Sequence, residues 1–318
     1  MRWIPLTPVA VVAALALTAC GAQSSVSGTV TSPAAPSSAP AAAASAASAT
    51  VAASVSATSA APVSPAAAGA CSPAQLKTHK SGQVTVATDS PAYEPWFVGN
   101  KPANGKGFES AVAYAVAEQL GYAAAQVSWV HASFDSVIAP TPKNYDFDIN
   151  EVSITPARAK AVDFSSGYYD VAQAIIALKS DKYAKATSVA ALHGARLGAQ
   201  QGTTSVDALK NQVKPGTSIR QYPTNDLAVQ ALKNGQIDGL AVDLPTGLYL
   251  TSAELDSSTI IGQLPVTGSP EQFGLVLSKG SALTSCVTAA VTALQAKGTF
   301  AQLQKHWLTT SAGAPVLQ

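Results

Sequence analysis

The chain has 318 residues, 47% of them hydrophobic and 12% charged, with a formal net charge of +1. That is length for about two domains with cores of their own, although much of the apolar count is alanine from the first seventy residues. A balance so close to neutral, with no basic patch, argues against a nucleic-acid partner. The amino terminus reads first: Arg2, then the apolar run of residues 9–19, has the layout of a secretory signal. That run is too short to anchor as a bilayer-spanning helix.

Residues 17–20, LTAC, resemble the bacterial lipobox, which implies that Cys20 becomes the lipidated first residue of the mature chain. An ordinary cleaved signal with an incidental cysteine is the alternative. Removing a 1–19 signal, whose only charge is Arg2, leaves 18 basic and 18 acidic residues. Residues 20–70 are almost entirely Ala, Ser, Pro, Thr, Val and Gly, which cannot bury enough large apolar surface to offset conformational entropy. They read as a disordered tether spanning roughly 40 Å as a coil. Setting Cys20 aside leaves Cys71 and Cys286. An exported compartment favours pairing them, so a disulfide is expected, with two buried free thiols as the alternative.

The folded region opens with a short strand at 84–88 followed by Asp89, then SPAYEPWF, a proline-stiffened loop holding Tyr93, Trp96 and Phe97. Aromatic walls beside a strand end suit a small ligand, yet they serve as core more often. A Gly- and Asn-rich turn at 99–107 leads to a helix over 108–120 with Phe108, Val112 and Val116 on one face, closed by Gly121. A strand at 126–130 and a short turn or helix at Phe134 follow. Residues 148–154 read as a strand that Pro156 stops. Arg158 is then expected at a strand's carboxyl end, where open α/β sheets hold ligands, with a guanidinium fork suited to a carboxylate. Pairing with Asp163 or Asp170 is the plainer role for it.

The apolar run 171–178 reads as a strand and as the first crossing between lobes. A second α/β set follows: a strand at 196–200, the turn Gly202-Thr203-Thr204-Ser205 opening a helix to about 213, a strand at 219–222, and a helix capped by Thr224 or Asn225. That helix is expected to bury Leu227, Ala228, Ala231 and Leu232. A strand at 237–242 ends at Asp243, and Pro245 begins another helix. A returning strand at 273–277, a helix at 281–296 and a short last helix carrying Phe300, Leu303 and Trp307 close the chain. Strands alternating with helices predict parallel α/β sheets. A glycine turn at a helix start, as at Gly202, binds anions through free N–H groups.

Residues 153–169 read SITPARAKAVDFSSGYY. Ser153, Ile154, Thr155 and Arg158, then Val162, Asp163, Phe164, Ser165, Tyr168 and Tyr169, resemble the signature of the extracytoplasmic solute-binding proteins of polar amino-acid ABC transporters. The likeness runs from about Val84 to Leu308 and includes Lys279, Gly280, Leu283, Gly298, Thr299 and Trp307. It implies an α/β, two-lobed periplasmic-binding-protein-like fold of type II. Each lobe would be a mainly parallel sheet with flanking helices, joined by two hinge crossings. The expected division is lobe 1 at 71–175 and 272–309, lobe 2 at 176–271, and a tail at 310–318.

Carried over by position, the resemblance implies that Arg158 takes a ligand α-carboxylate with N–H groups near Ser153 and Thr204. Asp243 would take the α-ammonium with the Ser153 hydroxyl and the carbonyl of residue 151. Tyr93 and Phe134 would sandwich the side chain with Trp96 nearby, Asp89 would meet its tip, and Gln200 would line the far lobe. Asp243 as a helix N-cap is the alternative. Glu151 stands where relatives often have a small residue, the loop between Asp89 and Tyr93 is one residue longer, and Gly107-Phe108-Glu109 departs from the family's G-F-D. Asp89 and Glu151 together point to a polar or cationic side chain, with a salt bridge from Glu151 to Arg158 as the alternative.

The function so implied is capture of an amino acid by hinge closure and delivery to an ABC transporter permease. The protein would be a monomer held outside the cell membrane by a lipid at Cys20 alone, without cofactor, metal or catalysis. His79, His131, His193 and His306 show no metal-ligand spacing. Two other classes stand beside it: a dehydratase-like cleft enzyme using Glu151 as acid or base, and a sensory or surface lipoprotein.

Overall fold

The structure is a computed structural model that describes residues 71–308 and 314–318. The signal at 1–19, Cys20 and the tether at 20–70 lie outside the described residues. The strands in chain order are β1 (Val84–Thr88), β2 (Val127–His131), β3 (Phe147–Asp148), β4 (Val162–Val171), β5 (Gln173–Leu178), β6 (Leu197–Gln200), β7 (Arg220–Tyr222), β8 (Gly239–Asp243), β9 (Ser258–Gln263) and β10 (Glu271–Ser278). The helices are α1 (Phe108–Gln119), α2 (Phe134–Ile138), α3 (Thr204–Ala208), α4 (Asn225–Lys233), α5 (Leu244–Tyr249), α6 (Thr284–Ala296) and α7 (Thr299–Trp307). None among the described residues is long and apolar enough to cross a membrane.

Two five-stranded sheets form two lobes, ordered β2-β1-β3-β10-β4 and β7-β6-β8-β5-β9. Each is a mixed sheet in which four strands run one way and one runs against them, in line with the mainly parallel arrangement expected. In the first, β1 runs parallel to β2 and β3 while β10 is antiparallel to β3 and β4. In the second, β6 runs parallel to β7 and β8 while β5 is antiparallel to β8 and β9. The reason is connectivity: β5 and β10 enter from the opposite lobe and so run against their neighbours.

The sheets exchange the chain at Ala172, between β4 and β5, and again between β9 and β10. The first crossing therefore falls short of the expected boundary after residue 175. The FSSGYY run is itself the core of the ten-residue strand β4. Residues 314–318 are no loose tail. Gln263 N–H donates to the Pro315 carbonyl at 2.7 Å, and Leu317 N–H returns to the Gln263 carbonyl at 2.9 Å. Leu317 is 2% exposed within the core of the second lobe.

Helix α1 begins where the aromatic loop ends. Amides at a helix start lack intrahelical partners, and here Phe108 and Glu109 donate theirs to the carbonyls of Pro95 and Trp96, at 3.0 and 3.1 Å. Gly107, at φ +99°, allows that approach: a Cβ there would lie 2.3 Å from the Trp96 oxygen. Val112 and Val116 of α1 share one core with Val287 and Val291 of α6 and Phe300 of α7. Cys71 and Cys286 form a disulfide with Cα atoms 5.4 Å apart. It closes a loop across 215 residues, an entropic contribution of at most about 5 kcal/mol.

In the second lobe Thr224 caps α4, its hydroxyl accepting from Leu227 N–H at 3.3 Å. Leu227 itself is 50% exposed, against expectation, because the helix buries Ala228, Val229, Ala231 and Leu232 instead. The expected 148–154 strand is also shorter. It stops at Asp148, since Glu151 adopts φ +52° and its N–H goes to Glu109 Oε1 at 2.7 Å.

Candidate functional site

A cleft lies between the lobes at the ends of β1, β6 and β8. From the first lobe it is lined by Asp89, Pro91, Tyr93, Phe134, Asn150, Glu151, Ser153 and Arg158. From the second come Gln200, Thr203, Thr204, Asn225 and Asp243. Nine of the ten ligand-site residues expected from the sequence meet here. Trp96 does not.

Arg158 sits in a single helical turn after Pro156 and is 9% exposed. The expected strand end is absent, yet the guanidinium still reaches the cleft. Its Nη1 donates to the Ser153 carbonyl at 2.7 Å and its Nη2 to the Gly202 carbonyl of the other lobe at 2.9 Å. Its Cζ stands 5.3 Å from the centroid of the Phe134 ring. A guanidinium has five N–H donors, so three remain for an anion. Burial pulls its pKa down, while Glu271 and Asp243 oppose the loss of charge. Asp163 and Asp170 are engaged elsewhere, with Lys279 and Gln272.

Asp243 ends β8 and precedes α5, but it makes no side-chain cap. Its Oδ1 accepts from Gln173 Nε2 at 2.6 Å. Desolvation, then the Glu271 carboxylate, holds its pKa well above the usual range. Gln173 is held in register by Ser205 Oγ, which donates to Gln173 Oε1 at 2.7 Å.

Glu151 lies between the lobes and forms no hydrogen bond or ion pair with Arg158. Its Oε2 accepts from Thr246 Oγ1 at 2.7 Å, and Thr246 in turn accepts from Trp96 Nε1 at 2.8 Å. Trp96 is therefore a fully buried core residue that reaches the second lobe from behind the cleft. Its ring packs edge-on against Phe108, Tyr169 and Phe273. Desolvation, with Asp243 and Glu109 nearby, raises the Glu151 pKa well above that of a free carboxylate.

Tyr93 spans the cleft mouth, donating to Asp226 Oδ1 at 2.7 Å. Desolvation and then Asp226 push its hydroxyl upward in pKa. Asp89 accepts from Phe134 N–H at 3.1 Å and lies 3.1 Å from His131 Nε2, so it both starts α2 and faces the cleft. Gln201 of the second lobe donates to Asp135 of the first at 2.7 Å. Among the described residues no group of three or more His, Cys, Asp or Glu is placed to hold a metal ion.

Gln173, Glu271, Thr246 and Asp226 were not legible as site residues. Gln173 had one signal, a polar residue inside an otherwise apolar strand, and Glu271 stands at the start of the returning one. Chemically the cleft offers one buried guanidinium facing several carboxylates across two lobes, the complement of a small zwitterion.

The chain resembles known proteins over the same region. The profile of the bacterial extracellular solute-binding proteins, family 3, matches residues 84–310. ABC transporter arginine-binding protein 1 of Escherichia coli (strain K12) is 30% identical over 207 residues, 63% of this chain and 81% of that protein. The L-cystine-binding protein TcyJ of the same strain is 28% identical over 234 residues, 73% of this chain and 84% of that protein. A solved structure of an ancestral arginine-binding protein bound to glutamine aligns with a TM-score of 0.60 at 28% identity, covering 72% of this chain and 99% of that one. The fold is the two-lobed α/β arrangement of type II periplasmic binding proteins. With its profile, its sheets and its cleft in agreement, the chain belongs to the bacterial extracellular solute-binding proteins of family 3.

Proposed function

We propose that this protein captures a polar or cationic amino acid between its lobes and delivers it to an ABC importer. The observation that carries the reading is the pairing of Arg158 from one lobe with Asp243 from the other in a single cleft. Arg158 takes the α-carboxylate and Asp243 the α-ammonium, while Tyr93 and Phe134 flank the side chain. Asp89 gives the far end acidic character and Glu151 adds a carboxyl group beside Asp243, in keeping with the arginine named for the E. coli relative. A ligand that touches both lobes binds the closed arrangement better and shifts the population toward it.

On this reading the protein works as a monomer outside the cell membrane, held by a lipid at Cys20, and performs no chemistry. The raised pKa of Glu151 favours one alternative, a cleft acid for a lyase-like reaction. Recovery of a bound amino acid unchanged after prolonged incubation separates the two.

The test is thermal unfolding of the purified chain against the twenty amino acids, with Arg158→Ala alongside. A ligand bound only by the native state raises the melting temperature by mass action. The expected result is stabilisation by one or a few amino acids, strongest for arginine, and its loss in Arg158→Ala. No shift with any of the twenty defeats the amino-acid reading.

A further inference from the structure

Behind the cleft, one carboxylate that does not line it organises the groups that do. Glu271 opens β10, directly after the second crossing. Its Oε1 receives the hydroxyls of Ser153 and Thr204, the latter at 2.5 Å. Gln173 Nε2 approaches the same carboxylate at 3.4 Å to Oε1 and 3.3 Å to Oε2. Ser153 belongs to the first lobe, Thr204 and Gln173 to the second, and the two hydroxyl oxygens stand 3.3 Å apart.

A hydroxyl has one hydrogen and two lone pairs. An ionised carboxylate is the strongest acceptor within reach of either hydroxyl, so both hydrogens go to Glu271. What Ser153 and Thr204 then present toward the cleft is lone pairs. Gln173 does not reverse this: Ser205 donates to its carbonyl oxygen, and its amide nitrogen can only donate, one hydrogen to Asp243 at 2.6 Å and the other toward Thr204 Oγ1 at 3.4 Å, which leaves the Thr204 hydrogen with Glu271. The wall beside Asp243 is thus built from acceptors. The donors of Arg158 stand apart from it, held by the carbonyls of Ser153 and Gly202.

We propose that Glu271 is a positioning residue that sets the polarity of this subsite: by taking the hydrogens of Ser153 and Thr204 it turns both hydroxyls into acceptors beside Asp243. The cleft thereby selects acids that carry a primary ammonium at Cα over the same acids without it. This inference rests on the amino-acid reading above and adds a residue that does not touch the ligand. Glu271→Gln keeps the shape but substitutes an amide donor for one carboxylate oxygen. A hydroxyl that accepts from that amide swings its own hydrogen into the cleft, where it opposes an ammonium.

The experiment is calorimetric titration of the purified chain and of Glu271→Gln with two pairs of probes. L-arginine is compared with 5-guanidinopentanoate, and L-glutamine with glutaramate, each partner lacking only the α-ammonium. If another amino acid is the one bound, it and its deaminated acid form the pair. The expected result is a loss of roughly tenfold or more in affinity for the amino acid, the worth of a charge-assisted hydrogen bond, with affinity for the deaminated acid held or improved. Equal weakening of both probes, or no change in either, overturns the role of Glu271, since a merely structural residue moves both alike.

Should Glu271→Gln fail to fold, Thr204→Val carries the test, because it removes the lone pairs and leaves the backbone N–H. It must weaken the amino acid and spare the deaminated acid; equal loss overturns the proposal. Absence of binding by the wild type to every amino acid is a separate outcome that removes the underlying reading and this one with it.

Discussion

Glu109 is fully buried on α1, with Oε1 accepting from Tyr168 Oη and from Glu151 N–H while Oε2 has no partner among the described residues. Desolvation outweighs those two bonds and pushes its pKa from 4.5 up to about 7. Asp148, buried on β3 with neither oxygen partnered among the described residues, is raised well above the usual range for the same first reason, then by Glu109 and Asp89. The folded state therefore holds a proton at Glu109 that the unfolded chain releases sooner. Stability from that proton is fully present below pH 4.5 and is lost as pH rises through about 7. Glu109→Gln imitates the protonated form. Denaturant titrations at several pH values should find wild type and variant alike near pH 4, with the variant ahead by roughly 3 kcal/mol near pH 8. A difference that does not grow with pH would sink this account.

Among the elements, the carboxyl-terminal segment is the least expected. Besides its bonds to Gln263, Gln318 donates to the Thr187 carbonyl at 3.1 Å and accepts from Val189 N–H at 2.9 Å. Its contact explains a glycine, since a Cβ at Gly262 would lie 2.8 Å from Leu317 Cγ. The segment adds a strand-like edge to the second lobe although α7, just before it, packs in the first. Leu317→Ala should lower the unfolding free energy by about 2 kcal/mol, the low end for a buried leucine because a chain end can readjust. A loss under about 0.5 kcal/mol, the scale of a surface substitution, would show that the segment does not dock. Elements with strong local periodicity, such as α1 and β1, were readable from pattern. The 148–154 stretch was misread because its alternation is broken by a contact from α1, 42 residues away in sequence, and Leu227 was misplaced because the helical face it shares turns outward.

At the scale of the whole molecule, the lobes are joined by two crossings and by side chains that meet only when the lobes are apposed: Tyr93 with Asp226, Trp96 with Thr246, Arg158 with Gly202. Each is a candidate sensor of closure. The proposed anchor adds a second whole-molecule property, tethering the binding unit where a permease can meet it. Cys20→Ser should move the protein from the membrane fraction to the soluble exported fraction, as read by fractionation and immunoblotting, while leaving amino-acid binding intact. An unchanged membrane fraction would argue for another means of attachment.

The sequence alone determined the α/β class and the signature around Arg158, because periodicity, turn chemistry and a compact motif are local properties that survive without coordinates; the other cleft residues it named were carried over by position from the family it resembles. It also pointed to the Cys71–Cys286 pairing, through compartment and count. Only the tertiary structure decided that Trp96 is covered rather than lining, that Glu151 answers to Thr246 rather than Arg158, and that Glu271 governs two hydroxyls. Those outcomes depend on residues brought together across large separations, 150 for Trp96 with Thr246 and 118 for Ser153 with Glu271. Hydrogen-bond direction at such meetings is set by which acceptor is charged and within reach, and no window of sequence contains both partners.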